Sequence, residues 1–291
     1  MEKNITLIGG DLRMVKLAEL LAKDNFTVYT YALEEADSLY EFENVKYMEN
    51  MYDAIAASHI VVGPVPLSID RENVIATFSK NVISIEEFSQ ALLGKKFLAG
   101  NIPDSMKDIL NNNSVEYIDL LKREDLVVLN TIATAEGTIK IAIEETPRTL
   151  HGSNVLVMGF GRTGKVLAKM LDGIGAKVHC EARKNEDISW IKAYGYTPVH
   201  LNDLNSELGK FDVIINTIPF TILDSERLDL VKEDAVIIDI SSNPGGVDRK
   251  AAREKNKKVI WALSISGKVA PLTSAEFIKE TLYNISKEAN Q

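Results

Sequence analysis

The chain is almost free of cysteine: among 291 residues there is one, Cys180. No disulfide can form within the chain, which fits a reducing, cytoplasmic setting. No apolar run approaches the length that crosses a bilayer, and the opening Met1-Glu2-Lys3-Asn4-Ile5 lacks the apolar segment of a secretory signal. Positive charge is not in excess. The formal net charge is −9, which argues against nucleic acid or an anionic membrane as the main partner. Histidines are few, and His59, His151, His179 and His200 show no metal-ligand spacing, so no metal is expected. Internal repeats and low-complexity segments are lacking too. What remains is an ordinary globular composition, long enough for two domains.

The most informative stretch is Val155-Leu156-Val157-Met158-Gly159-Phe160-Gly161-Arg162-Thr163-Gly164. Its apolar run reads as a buried parallel strand that enters G-x-G-x-x-G, and helical spacing follows over 165–174. Gly159 permits a tight turn, Gly161 lets backbone approach a pyrophosphate, and Gly164 lets helix pack on strand. The pyrophosphate would rest on the helix N-terminus, with Phe160, Arg162 and Thr163 beside it. A second strand is expected over 177–180, at βαβ distance. It runs into Glu181-Ala182-Arg183-Lys184. Glu181 stands early for the carboxylate that binds ribose hydroxyls in NAD sites. Arg183 and Lys184 stand where a 2′-phosphate would lie. The expected cofactor is therefore NADP, with NAD the alternative.

Elsewhere strands and helices alternate. Strands are expected at 5–8, 27–31, 59–62, 82–85, 97–99 and 115–118, with helices at 86–93 and 103–111. This is an α/β pattern of parallel sheets covered on both faces. Ligands of such sheets bind beyond the carboxyl ends of the strands. That rim would carry Gly9-Gly10-Asp11-Leu12-Arg13, Gly63-Pro64-Val65-Pro66 and Gly100. Arg13 is either a substrate cation or a solvated charge. A helix over 130–145 would link the domains and bring Thr134 and Glu136 to the cleft.

Three later strands, at 211–216, 235–240 and 259–262, each end in small or polar residues. Thr217 and Pro219 are expected to line the nicotinamide pocket, with Ile218 on the cofactor; Ser241, Asn243 and Gly246 are expected to contact cofactor or substrate, with Ser266 and Lys268 one loop further on. The alternative for this set is turn chemistry. The expected architecture is two Rossmann-like, doubly wound parallel-sheet domains joined by a linking helix. A substrate domain would cover 1–129 and a nucleotide domain 130–271, with the terminal helix, 272–291, packing back on the first.

Taken together, these residues resemble the A-subunit family of dipicolinate synthase, and more distantly D-2-hydroxyacid dehydrogenases. The shared features are Gly9-Gly10-Asp11 with Arg13, Glu136-Gly137-Thr138, His151-Gly152-Ser153, the glycine loop, Ala182-Arg183, Asn216-Thr217-Ile218-Pro219, Pro244-Gly245-Gly246-x-Asp248 and Ala270-Pro271-x-Thr273. The stretch 263–269 departs from the glycine- and proline-rich pattern of the family. The resemblance implies NADP-dependent oxidation of a dihydro- or hydroxytetrahydrodipicolinate to dipicolinate in the mother cell of a sporulating bacterium. It also implies a B-subunit partner, and a homo-oligomer is expected. The substrate, a small dicarboxylate, needs cations or N–H donors, for which Gly10, Asp11, Arg13, Pro64, Thr134, Ser266 and Lys268 are expected contacts. Glu136 and His200 are the candidates for the base. Two other readings stand beside this one: another small 2-hydroxy- or keto-acid dehydrogenase, and a non-catalytic NADP-sensing subunit.

Overall fold

The computed structural model describes residues 3–289, which divide into two compact units. The first runs to Asn130 and resumes at Ala270; the second is Thr131–Val269.

The first unit contains β1 (Asn4–Ile8), α1 (Leu12–Lys23), β2 (Thr27–Tyr31), β3 (Val45–Tyr47), α2 (Met51–Ala56), β4 (Ile60–Val62), α3 (Ile85–Ala91), β5 (Lys96–Ala99), α4 (Asp104–Asn112) and β6 (Glu116–Asp119). Its six strands are parallel, in the order β3-β2-β1-β4-β5-β6. Side chains of a strand alternate between faces. Ile5 and Leu7 of β1 accordingly join one core, and Ile8 joins the other. Thr6 stays buried because its hydroxyl donates to the Ala54 carbonyl at 2.7 Å and meets Ser58 at 2.8 Å.

The second unit contains β7 (Asn154–Met158), α6 (Arg162–Ile174), β8 (Lys177–Ala182), α7 (Asn185–Ala193), β9 (Thr197–His200), α8 (Leu204–Glu207), β10 (Val213–Asn216), α9 (Ser225–Leu230), β11 (Val236–Asp239), α10 (Arg249–Glu254), β12 (Lys258–Trp261) and α11 (Ile265–Val269). Its parallel sheet has the order β12-β11-β10-β7-β8-β9. Read from the other edge, this is the plan of the first sheet. The chain order reverses beside β1 in one unit and beside β7 in the other, which makes both carboxyl-end crevices ligand positions of the doubly wound fold.

A 22-residue helix, α5 (Glu124–Glu145), carries the chain from one unit to the next. By length and composition alone it could cross a membrane, but Thr131, Ala133, Ala135, Thr138, Ile139 and Ala142 are buried, as in a core helix. A side chain at Gly137 would collide with Ile265 and Val269, so glycine lets α11 pack on this helix. The helix begins at Glu124, not at 130, so Glu136 lies mid-helix and gains nothing from the N-terminal dipole.

Two further expectations are corrected. No strand forms at 82–85. Ser84 instead caps α3, accepting from the Glu87 N–H in an S-x-x-E pattern, and Val82 is 79% exposed. The sheet places beside β1 belong to β2 and β4. Residues 265–269 form α11 where a loop was expected, because Ile265 is drawn into the contact with α5.

The last helix, α12 (Pro271–Glu288), belongs to the first unit and packs along α1. Ala275, Ile278, Leu282 and Ile285 form its buried stripe. Its flanks are pinned by Lys279 to Asp24 at 2.9 Å and by Arg123 to Glu288 at 2.7 Å. Ile278→Ala leaves a cavity in this core and should cost about 2–5 kcal/mol in chemical denaturation. An unchanged midpoint would remove α12 from the cooperative core.

Candidate functional site

In the second unit, β7 ends at Met158 and the chain turns at Gly159, where φ is +91°. A side chain there would meet the Thr217 hydroxyl at 2.6 Å and Ile218 at 2.8 Å. The Gly159 N–H donates to both the backbone carbonyl and the Oε2 of Glu181, each at 3.2 Å. Gly161 begins α6 with no side-chain cap, and a Cβ there would have nothing within 4 Å. Gly164 sits so close to the Gly159 carbonyl that no Cβ fits. This is the geometry that receives a pyrophosphate: glycine backbone beside open space, at the uncapped N-terminus of a helix. Arg162 is exposed there and Thr163 half-buried, while Phe160 is buried beneath.

The loop after β10 closes one side of this site. The Thr217 hydroxyl donates to the Met158 carbonyl at 2.9 Å; Ile218 is half-buried and Pro219 exposed. The structure therefore brings the glycine loop together with Thr217 and Ile218.

Glu181 does not reach toward a ribose. It is 1% exposed, under the glycine turn, and burial holds its carboxyl above the usual carboxylate range. Ala182 ends the strand, and the exposed Arg183 and Lys184 follow. His200 closes on the same segment. Its Nε2 lies 3.1 Å from the Arg183 carbonyl, and its Nδ1 accepts from the Asn202 N–H at 3.2 Å. The ring is thus engaged by backbone at both nitrogens. That geometry makes His200 a holder of the Arg183 turn.

At the ends of β10 and β11 lies a buried network that sequence reasoning missed. Asp239 accepts from Asn216 Nδ2 at 2.8 Å, from the Ser241 hydroxyl at 2.7 Å and from the Gly246 N–H at 2.7 Å. Ser241 is buried, so its hydroxyl serves Asp239. Trp261 Nε1 donates to the Ser241 carbonyl at 3.1 Å, and Arg249 lies 3.8 Å over the Trp261 ring. A carboxylate closing an otherwise apolar strand is the signal that would have found it. Nearby in sequence, Ser266 is buried and Lys268 exposed on α11. On α5, Glu136 is exposed and the Thr134 carbonyl accepts from Thr138.

In the first unit the rim after β1 is tightly knitted. The Gly10 N–H donates to the Ile75 carbonyl at 2.6 Å, and the Gly10 carbonyl accepts from the Thr77 N–H at 2.9 Å. The buried Pro64 accepts from the Gly100 N–H at 2.9 Å. Asp11 caps α1 and grips Arg13 through both carboxylate oxygens, the shortest contact being 2.6 Å. Arg13 is only 6% exposed. Gly10, Asp11, Arg13 and Pro64 are thus brought together, with the guanidinium already paired. Among the described residues no cluster of His, Cys, Asp or Glu stands ready for a metal.

Comparison with known proteins agrees with this division. Residues 4–121 match the N-terminal domain of the dipicolinate synthase A-subunit, and residues 131–252 match the D-isomer specific 2-hydroxyacid dehydrogenase NAD-binding domain. The dipicolinate synthase A-subunit of Bacillus subtilis is 29% identical over 288 residues, covering 98% of this chain and 96% of the relative. The chain resembles the dipicolinate synthase A-subunit throughout its length. The crystal structure of the corresponding A-subunit from Bacillus halodurans superposes with a TM-score of 0.87 at 27% identity, over 97% of each chain. A transhydrogenase from Sinorhizobium meliloti shares the fold, with a TM-score of 0.70 at 16% identity over 97% of this chain and 94% of its own. The matches support a dinucleotide-binding second unit and an oxidoreductase-like role for this relative of the dipicolinate synthase A-subunit.

Two tests follow from the geometry. Gly161→Val places its branches in open space, so circular dichroism and melting should be unchanged while dinucleotide binding, read by calorimetry, is lost. Retained binding would remove the loop from the site. Glu181 is a carboxyl whose folded-state pKa is raised, so the folded wild type loses stability as pH rises from the ordinary carboxyl value through the raised one. Glu181→Gln carries no charge to bury. Its melting temperature should gain on wild type as pH rises above the ordinary carboxyl value, with the gain absent at the acid end. A constant difference across that rise would refute the burial argument.

Proposed function

We propose that the protein is an NADP-dependent dehydrogenase that forms dipicolinate, pyridine-2,6-dicarboxylate, from a dihydro- or hydroxytetrahydrodipicolinate. The observation that carries the reading is the glycine loop on uncapped α6, with Arg183 and Lys184 exposed just past β8 and Glu181 turned under the loop. A ribose carboxylate is what an NAD site offers at this strand end; a 2′-phosphate needs cations instead. The bound cofactor supplies the hydride acceptor. The chain's own residues bind and orient. Gly159, Phe160, Gly161, Arg162, Thr163 and Gly164 receive the pyrophosphate, Arg183 and Lys184 the 2′-phosphate. Thr217, Ile218 and Pro219 hold the nicotinamide end, with Ser241 fixed behind them by Asp239.

For a substrate carboxylate the first unit offers Arg13, held in one orientation by Asp11, with Gly10 and Pro64 beside it; the candidates of the second unit are Lys268, Thr134 and Ser266. Asp11 takes Nε and Nη2 of the guanidinium, so Nη1 is the donor assigned to a substrate carboxylate. Glu136 remains as the proton acceptor once His200 is committed to the backbone. By resemblance, the enzyme works in the cytoplasm of the sporulating mother cell, beside a B-type subunit, as a homo-oligomer. The engaged ring of His200 also favours a second reading, a subunit that binds NADP and regulates a partner without turning over.

The deciding experiment follows NADPH absorbance with purified protein, NADP and freshly generated pathway intermediate, with and without the B subunit. Turnover is expected. Tight NADP binding without turnover in either mixture would transfer the assignment to the regulatory reading. Arg183→Ala removes a charge-assisted contact and should weaken NADP by about tenfold to a hundredfold while leaving NAD affinity unchanged. Equal loss for both nucleotides would defeat the 2′-phosphate assignment.

A further inference from the structure

A cavity lies on the second unit, lined by Lys165, Val166 and Lys169 of α6 and by Tyr194 and Tyr196 beyond α7. Its volume is about 290 Å³, room for a single small ring. Lys165 and Lys169 are four residues apart on one helix face, about 5–6 Å between their Cβ atoms. Like charges at that spacing repel, and neither ammonium has an ion-pair partner among the described residues. Lys165 instead lies 5.5 Å over the Phe160 ring.

The facing wall is aromatic. Tyr194 stacks on Trp190 with ring centres 5.7 Å apart and meets Tyr196 at 6.2 Å. Trp190 and Tyr194 are 54% and 53% exposed, an unusual amount of aromatic surface to leave in water. Asp172, one turn beyond Lys169, stands at the Tyr196 end. Two unpaired cations at fixed spacing opposite aromatic faces define the complement of a flat ring bearing two anionic groups.

We propose that this cavity is a regulatory site for an aromatic dicarboxylate, with Lys165 and Lys169 on the carboxylates and the ring against Tyr194 and Tyr196. The ligand class follows from the cavity itself; its equation with the enzyme's own product rests on the function proposed above. The cavity adjoins the glycine loop through one residue. Phe160 lies between Gly159 and Gly161, touches Tyr194 at 6.2 Å and carries the Lys165 ammonium. An occupant that neutralises Lys165 removes positive potential one turn from the pyrophosphate position. Bound dicarboxylate therefore weakens the dinucleotide, and by linkage the dinucleotide weakens it equally.

The test titrates the full chain with pyridine-2,6-dicarboxylate in chelator-treated buffer, by calorimetry and by tryptophan emission. Lys169→Gln, Tyr194→Ala and Trp190→Phe are compared with wild type. Wild type should bind one equivalent more than Lys169→Gln or Tyr194→Ala, with an emission change that Trp190→Phe abolishes. The dinucleotide affinity of wild type should fall about fivefold or more when the dicarboxylate is present, and that of Lys169→Gln should not. Glutarate, a dianion without a ring, should displace nothing. Equal stoichiometry in wild type and Lys169→Gln overturns the proposal, as does displacement by glutarate. Binding at the dehydrogenase site is common to both proteins and cancels from the difference. Loss of the dehydrogenase reading would therefore leave this result standing, and the reverse also holds.

Discussion

Gly164 leaves no room for a side chain against the Gly159 carbonyl, and that contact fixes where α6 starts. The rest of the second unit's rim is built around it. The turn at Gly159 needs a positive φ, lies beneath Thr217 and Ile218, and rests its N–H on Glu181. The loop is thus held by the helix behind it, by the β10 loop at one side and by the β8 carboxylate below. Gly161 faces open space. A close-packed loop loses little further entropy when a ligand arrives, because its backbone is already fixed. The same packing explains why Glu181 is tolerated in a dry position: its carboxylate accepts from the Gly159 amide, so the buried oxygen has a partner.

Features governed by local physics were legible in the sequence. The glycine loop, the parallel α/β plan and the position of Arg183 beyond β8 follow from spacing, apolar runs and turn residues. What escaped depends on three-dimensional partners. The direction of Glu181 is set by which face of β8 it occupies, and a one-residue step reverses that face. The Asp239 network draws on β10, β11 and the turn that ends at Gly246, residues that meet only after the sheet forms. The apolar residues at 82–85 looked like a strand, but Ser84 and Glu87 supply a helix cap and both places beside β1 were already filled. Residues 265–269 looked like a loop because the surface that makes them helical is Gly137, more than a hundred residues earlier.

Topology alone does not decide what a rim binds. The two sheets share one strand order, and each places a glycine turn and a helix N-terminus after its first strand. Their electrostatics differ. On α6 no side chain caps the helix, so the partial positive charge of its N-terminus is available to an anion. On α1 the Asp11 carboxylate occupies that position, accepting from the Arg13 N–H and neutralising the Arg13 side chain. The backbone of Gly10 is likewise engaged by Ile75 and Thr77, whereas Gly161 stands beside open space. An incoming phosphate at α1 would have to displace a carboxylate already paired in a largely buried setting, and breaking such a pair leaves an uncompensated charge. One Asp in place of an open glycine cap is therefore enough to separate a dinucleotide rim from a rim that offers a prearranged, largely neutral Asp–Arg pair.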